Sequence, residues 1–150
     1  MPMSDILCSQ ICELAREEPF YVPLLANVSA VIYETLPNLN WAGFYLMREG
    51  VLTVGPFQGK AACIHIKVGD GVCGTAVKYD RTVRIANVHE FPGHIACDSA
   101  SNSEIVIPIH RDGKVIGVLD IDSPSLNRFS EKDQEMLEKA VEVLEKAMVM

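Results

Sequence analysis

The chain has 150 residues, 49% of them hydrophobic and 22% charged, and its 13 Lys and Arg against 20 Asp and Glu leave a formal net charge of −7. That length suits one domain burying roughly 70% of its unfolded surface, which needs neither a disulfide nor a structural metal to stay folded. The acidic balance, with basic residues scattered singly, argues against non-specific nucleic-acid binding, and no stretch reaches the roughly 18 apolar residues of a membrane span.

The first residues lack a basic region followed by an apolar run, so the expectation is a cytoplasmic protein without membrane or nucleic-acid partners. In a reducing compartment five cysteines are expected to be free, metal-bound or redox-active. Along the chain, Leu7, Ile11 and Leu14 recur at helical spacing over residues 4–18, with Ser4 available as a cap and Pro19 as a stop. A second helix begins near Tyr21, carries Pro23 in its first turn and ends at Pro37. The period then changes to two: residues 41–47 and 51–54 read as a hairpin, and 63–68 as a third strand. Gly69-Asp70-Gly71 leads into a short helix over 72–78, followed by a short strand at 82–85. Residues 86–103 show no periodicity, and so long a loop inside a compact domain is usually functional.

Residues 104–110 and 114–122 form the clearest hairpin, apolar enough to be buried on both faces. Ser130 and Asp133 make a capping box that opens a last helix with a stripe from Met136 to Met148. The fold class is therefore α+β: one domain over 1–150, with an antiparallel sheet, helices on one face and a long-loop cover on the other.

Cys63, Cys73 and Cys97 all fall at turns or loops. Cys73 opens a helix, where unpaired N–H groups and the dipole favour a thiolate, and Cys97 sits between His94 and Asp98 in the long loop. All three could equally be small buried hydrophobes, and Cys8 and Cys12, beside the first helix's apolar stripe, are expected to be core. A zinc site drawn from Cys63, His65, His89, His94 and Cys97 is the rival, but these residues do not form the two close pairs of a structural zinc motif. The alternative reading of the histidines is hydrogen bonding to loop backbone, or assistance by one of them in proton transfer near Cys97.

Asp120 and Asp122 alternate with Leu119 and Ile121, so they share one face of an apolar strand. Asp122 could cap the turn that follows; Asp120, deeper in the strand, calls for a polar pocket or a bound cation. Whether Glu104 joins them depends on the hairpin. A two-residue turn at Asp112-Gly113 would place Glu104 opposite Ile121 on the other face. A three-residue turn, Arg111-Asp112-Gly113 with Gly113 left-handed, would place it opposite Asp120. Should the three carboxylates converge, at least one should be protonated near neutral pH.

Four segments carry a resemblance: Gly55-Pro56-Phe57-Gln58-Gly59-Lys60, Gly71-Val72-Cys73-Gly74-Thr75-Ala76, the run from Phe91-Pro92-Gly93-His94 through Cys97-Asp98-Ser99 to Glu104, and Gly117-Val118-Leu119-Asp120-Ile121-Asp122-Ser123. Over essentially its whole length the chain resembles the free methionine-(R)-sulfoxide reductases, a GAF-domain enzyme family. The resemblance implies a six-stranded GAF sheet and a pocket for free methionine-(R)-sulfoxide. It implies Cys97 as nucleophile, Cys63 as its main resolving partner and Cys73 as a further member of the redox set. Trp41 would wall the substrate methyl group, and Glu104, Asp120 and Asp122 would be the acidic pocket residues. Glu104 and Asp122 would serve proton transfer as well as binding, Asp120 mainly the substrate ammonium. No metal or organic cofactor is implied, the expected reductant is thioredoxin, and a homodimer is compatible with all of this. The rival classes are a non-catalytic GAF small-molecule sensor and a zinc-binding domain.

Overall fold

The computed structural model describes residues 2–94 and 99–150. Helices α1 (Met3–Glu17) and α2 (Tyr21–Thr35) precede strands β1 (Trp41–Arg48), β2 (Val51–Gly59) and β3 (His65–Lys67). Helix α3 (Gly71–Tyr79), strand β4 (Val83–Ile85) and a 3₁₀ turn (Val88–Glu90) lead to β5 (Ser103–Arg111), β6 (Lys114–Ser123) and α4 (Glu131–Ala147). The strands form a six-stranded sheet in the order β3-β2-β1-β6-β5-β4, antiparallel at every pairing.

Side-chain alternation divides the sheet into two apolar layers. Ala42, Phe44, Ile105, Ile107, Ile109, Leu119 and Ile121 pack under α1, α2 and α4, with Leu7, Leu25, Ile32, Leu137 and Leu144 among their partners. Trp41, Tyr45, Val106 and Val118 project the other way, joined by Leu52, Ile66 and the α3 residues Val72, Cys73 and Ala76. Residues 103–109 are buried without interruption, as strands covered on both faces should be.

The ends of the elements show where local chemistry decided the outcome. Ser130 and Asp133 form the expected capping box. Ser4 does not cap α1; Pro2 is the N-cap residue and supplies no side-chain bond. β2 continues through Pro56 to Gly59, because a bulge opposite Phe44 accommodates the proline in the ladder. β3 is shorter than expected, so Cys63 and Ile64 precede the strand. Cys12 is exposed and Cys8 half-buried, contrary to a core role, because the buried line of α1 runs through Leu7, Ile11 and Ala15.

The β5–β6 hairpin places Glu104 by a third arrangement, a two-residue turn combined with a bulge. Arg111 pairs with Lys114 across a two-residue Asp112-Gly113 turn with φ of 52° and 77°, the left-handed pair of a type I′ turn. Such a turn alone would send Glu104 to the helix face. Between the Ile109–Gly117 and His110–Val115 pairs, however, Ile116 is an extra residue in β6. This bulge restores the parity, and Glu104 lies opposite Asp122 and not, as the three-residue turn required, opposite Asp120.

Candidate active site

β1 and β6 set the floor of the site: Trp41 pairs with Asp122 and Gly43 with Asp120, and β5 adds Glu104 beside Asp122. Gly43 is required there, since a Cβ at this position would lie 2.2 Å from the Cβ of Phe57 on β2. Three carboxylates therefore share one sheet face with Trp41 and Tyr45. A pocket opens above them, walled by Trp41, Tyr45, Ile66, Val72 and Cys73, with His94 and Ser101 contributed by the long loop.

Trp41 is 3% exposed. It stacks on Phe57 at 5.0 Å and on Tyr45 at 5.8 Å, and its Nε1–H donates to the Lys60 carbonyl at 3.0 Å. Tyr45 Oη donates to the Cys63 carbonyl at 2.9 Å, tying the aromatic wall to the segment that carries that cysteine. Cys63 is disulfide-bonded, whereas Cys8, Cys12 and Cys73 are free. Cys97 lies outside the described residues.

Glu104 and Asp120 are 7% and 5% exposed. Burial raises Glu104 well above the ordinary carboxyl range, and the neighbouring Asp120 and Asp122 push it further. Burial also raises Asp120, but hydrogen bonds from Glu104 and Cys73 offset part of the effect. Both carboxyls are thus raised, Glu104 with every cause acting upward, as like charges in a desolvated site demand. Asp120 Oδ1 still has no hydrogen-bond donor among the described residues. The turn after β6 is held by Ser123 Oγ, which accepts from the Ser125 N–H at 3.1 Å.

Cys73 reverses one expectation. It stands in the first turn of α3, yet burial, followed by Asp120, Glu104 and Asp122, raises its thiol well above the ordinary value. Desolvation beside carboxylates outweighs the helix terminus, and the group is a thiol, not a thiolate.

The histidines disperse. His65 is exposed on the edge strand β3, and His89 Nε2 lies 2.8 Å from Asn102 Oδ1. His94 Nε2 lies 3.9 Å from Glu104 Oε1, with its pKa lowered by burial and by His89. Among the described residues none of the three belongs to a close group of metal donors. Asn102 anchors the loop to β6 through its N–H to the Ser123 carbonyl at 2.8 Å and its Nδ2 to the Pro124 carbonyl at 2.7 Å. Asn40 Nδ2 donates to Ser101 Oγ at 2.9 Å from the opposite side. Sequence reasoning passed over Tyr45, although the alternation that puts Trp41 in the pocket puts Tyr45 there too. Asn40 and Ser101 leave no such mark, because only the tertiary fold brings them together.

A sheet with helices on one face and a small acidic pocket under a loop on the other defines a ligand-holding domain, and the GAF domain model matches residues 22–148. The chain is 53% identical over 135 residues to the free methionine-R-sulfoxide reductase of Escherichia coli, covering 90% of this chain and 82% of that protein. The Saccharomyces cerevisiae enzyme of the same name is 45% identical over 133 residues, covering 83% and 74% respectively. The structure of the Staphylococcus aureus fRMsr in complex with substrate superimposes with a TM-score of 0.92 at 47% identity, covering 99% of this chain and 97% of that one. The chain belongs to the GAF-domain family, in the branch of the free methionine-R-sulfoxide reductases.

Proposed function

We propose that the protein reduces free L-methionine-(R)-sulfoxide to methionine. The observation that carries this reading is the convergence of the buried Glu104 with Asp120 and Asp122 in the pocket that Trp41 lines, where burial and the two like charges raise the Glu104 carboxyl well above its ordinary range. Sulfoxide reduction by a thiol needs such an acid, because the sulfoxide oxygen must take up protons as it leaves sulfur.

In this scheme the Cys97 thiolate attacks the sulfoxide sulfur, and the oxygen is protonated from Glu104, with Asp122 assisting. The protonated adduct has its hydroxyl on the methionine sulfur; that hydroxyl migrates to the Cys97 sulfur as the S–S bond between the two breaks, so methionine departs and Cys97 is left as sulfenic acid. The Cys63 thiol displaces that oxygen as water and closes a disulfide, for which the disulfide-bonded state of Cys63 and its placement by Tyr45 are support. A thioredoxin-type dithiol then exchanges with the disulfide, returning both thiols and becoming oxidised itself. Cys73, held as a thiol, hydrogen-bonds Asp120 and stays in reserve as a further member of the redox set. Trp41 walls the substrate methyl group, Asp120 takes the ammonium, and backbone N–H groups of the loop before β5 take the carboxylate. The site is thus reserved for the free amino acid, since a peptide-bound sulfoxide has neither charged end.

The test is single-turnover chemistry. Free methionine-(R)-sulfoxide should yield one methionine per reduced chain, with little from the S epimer or from a substrate blocked at both ends. Cys97→Ser should abolish this yield, whereas Cys63→Ser should keep it but recycle poorly with thioredoxin. Binding without any turnover would make the protein a sensor; equal turnover of the blocked substrate would remove the enclosure.

A further inference from the structure

The geometry points to a second ligand for this pocket: a soft divalent cation of the zinc and cadmium class, held by Cys73 Sγ, a Glu104 oxygen and an Asp120 oxygen. The three donor atoms lie within 4.8 Å of one another, and all three residues are buried. Their exposures are 3%, 7% and 5%. They come from three separate elements, α3, β5 and β6, so the cluster is a product of the fold and not of one acidic run. Tetrahedral zinc with sulfur and oxygen ligands needs donor separations of about 3.3–3.8 Å, inside the 4.8 Å limit within which these three atoms lie.

An independent observation gives the cluster a direction. Asp120 Oδ1, on a side chain more than nine-tenths buried in the pocket wall, has no donor among the described residues. A buried carboxylate oxygen without a donor is costly, and a cation in contact with it relieves the cost. The thiol decides the class of cation: magnesium and calcium prefer all-oxygen shells, whereas a thiolate with two carboxylates suits zinc or cadmium. Binding displaces the thiol proton of Cys73 and the carboxyl proton of Glu104 to solvent, and no electron moves. One ligand position stays for water or for His94, whose Nε2 is 3.9 Å from Glu104 Oε1. Because the cation occupies the acid and the ammonium site of the proposed reductase, it should also inhibit that reaction competitively with methionine sulfoxide; this last clause alone rests on the reductase reading.

The test uses the full chain in its oxidised form, with Cys63 in its disulfide, in a Cys8→Ala/Cys12→Ala background that removes the two α1 thiols. Cadmium titration should produce a thiolate-to-cadmium ultraviolet band that saturates at one equivalent. Cys73→Ser should abolish the band. Asp120→Asn and Glu104→Gln should retain it but weaken the affinity at least tenfold, as read by competition with a chelator. Circular dichroism of each variant separates loss of binding from loss of fold, and the two carboxylate variants test the site even if Cys73→Ser fails to fold. Absence of the band in the folded parent, or affinity unchanged in both carboxylate variants, overturns the assignment. The titration involves no turnover, so a protein that binds cadmium but reduces no sulfoxide would leave the metal site standing and remove the reductase reading, and the converse result would do the opposite.

Discussion

At Glu104 two physical effects act in the same direction. The carboxyl is removed from water, and its nearest charged neighbours, Asp120 and Asp122, are of its own sign. Hydrogen bonds to Asp120 and Asp122 add to both effects, and a glutamine amide can still donate to them, so amide replacement should keep the shape of the pocket while removing the acidic proton. Glu104→Gln is expected to lower the single-turnover rate by about 10²-fold or more, the scale of a lost general acid. Asp120→Asn should act more on substrate affinity, and methionine formed per reduced chain, followed over substrate concentration, separates the two. An unchanged rate in Glu104→Gln would take the residue out of the proton path. Cys73 shows the limit of local reasoning about charge. Its place in the first turn of a helix was visible in the sequence, but the carboxylates of β5 and β6 that overrule the helix terminus are brought to it only by the sheet.

Among the elements, the β5–β6 hairpin was legible in its strands and its turn residues, and illegible in its register. Asp112 and Gly113 announce a tight turn, whereas the bulge at Ile116 has no compositional mark, because Val115 and Ile116 are both ordinary strand residues. The capping box of α4 could be read because both of its partners lie within four residues of each other. The burial of α1 was read less well: Cys8 and Cys12 flank the line of Leu7 and Ile11 by one helical position, enough to move them from core to surface. β1 and β2 approach so closely that Gly43 faces Phe57 with no space for a methyl group. Gly43→Ala must displace the backbone of β2, and a loss of about 1–3 kcal/mol is expected, the usual cost of overpacking, measurable by urea unfolding. A loss confined to a few tenths would mean that β2 yields easily.

For the molecule as a whole, the charged groups that join the layers predict how stability responds to pH. His110, at the bulge in the β5–β6 pairing, links the two sides of the sheet: Nε2 lies 2.5 Å from Asp80 at the end of α3, and Nδ1 lies 3.1 Å from Glu145 of α4. The bond to Asp80 is the main cause of its raised pKa, with Glu145 adding to it against some desolvation. A raised histidine contributes stability that is complete below its unfolded value of about 6.5 and is lost as pH rises through the folded value. Glu104 acts with the same sign, because the unfolded chain ionises it from about 4.3 upward while the fold keeps it protonated. His94, lowered by burial, opposes them only below about 6.5. The thermal midpoint is therefore expected to fall between about pH 6.5 and 8, and His110→Gln should flatten the slope in that interval. A midpoint that rises there would contradict the assignment. No helix among the described residues is long and apolar enough to cross a membrane.

The stacked wall of the pocket also makes the protein its own optical reporter. Trp41 is the chain's single tryptophan, so red-edge excitation isolates one indole, and that indole stacks on Tyr45 and Phe57 and lines the same pocket as the site's carboxyl groups. Indole emission responds to local polarity and charge, so that of Trp41 is expected to change when a ligand displaces water from the pocket or the acids change charge. Occupancy of the pocket is thus expected to be readable by steady-state fluorescence, without a label and without a background from any other tryptophan.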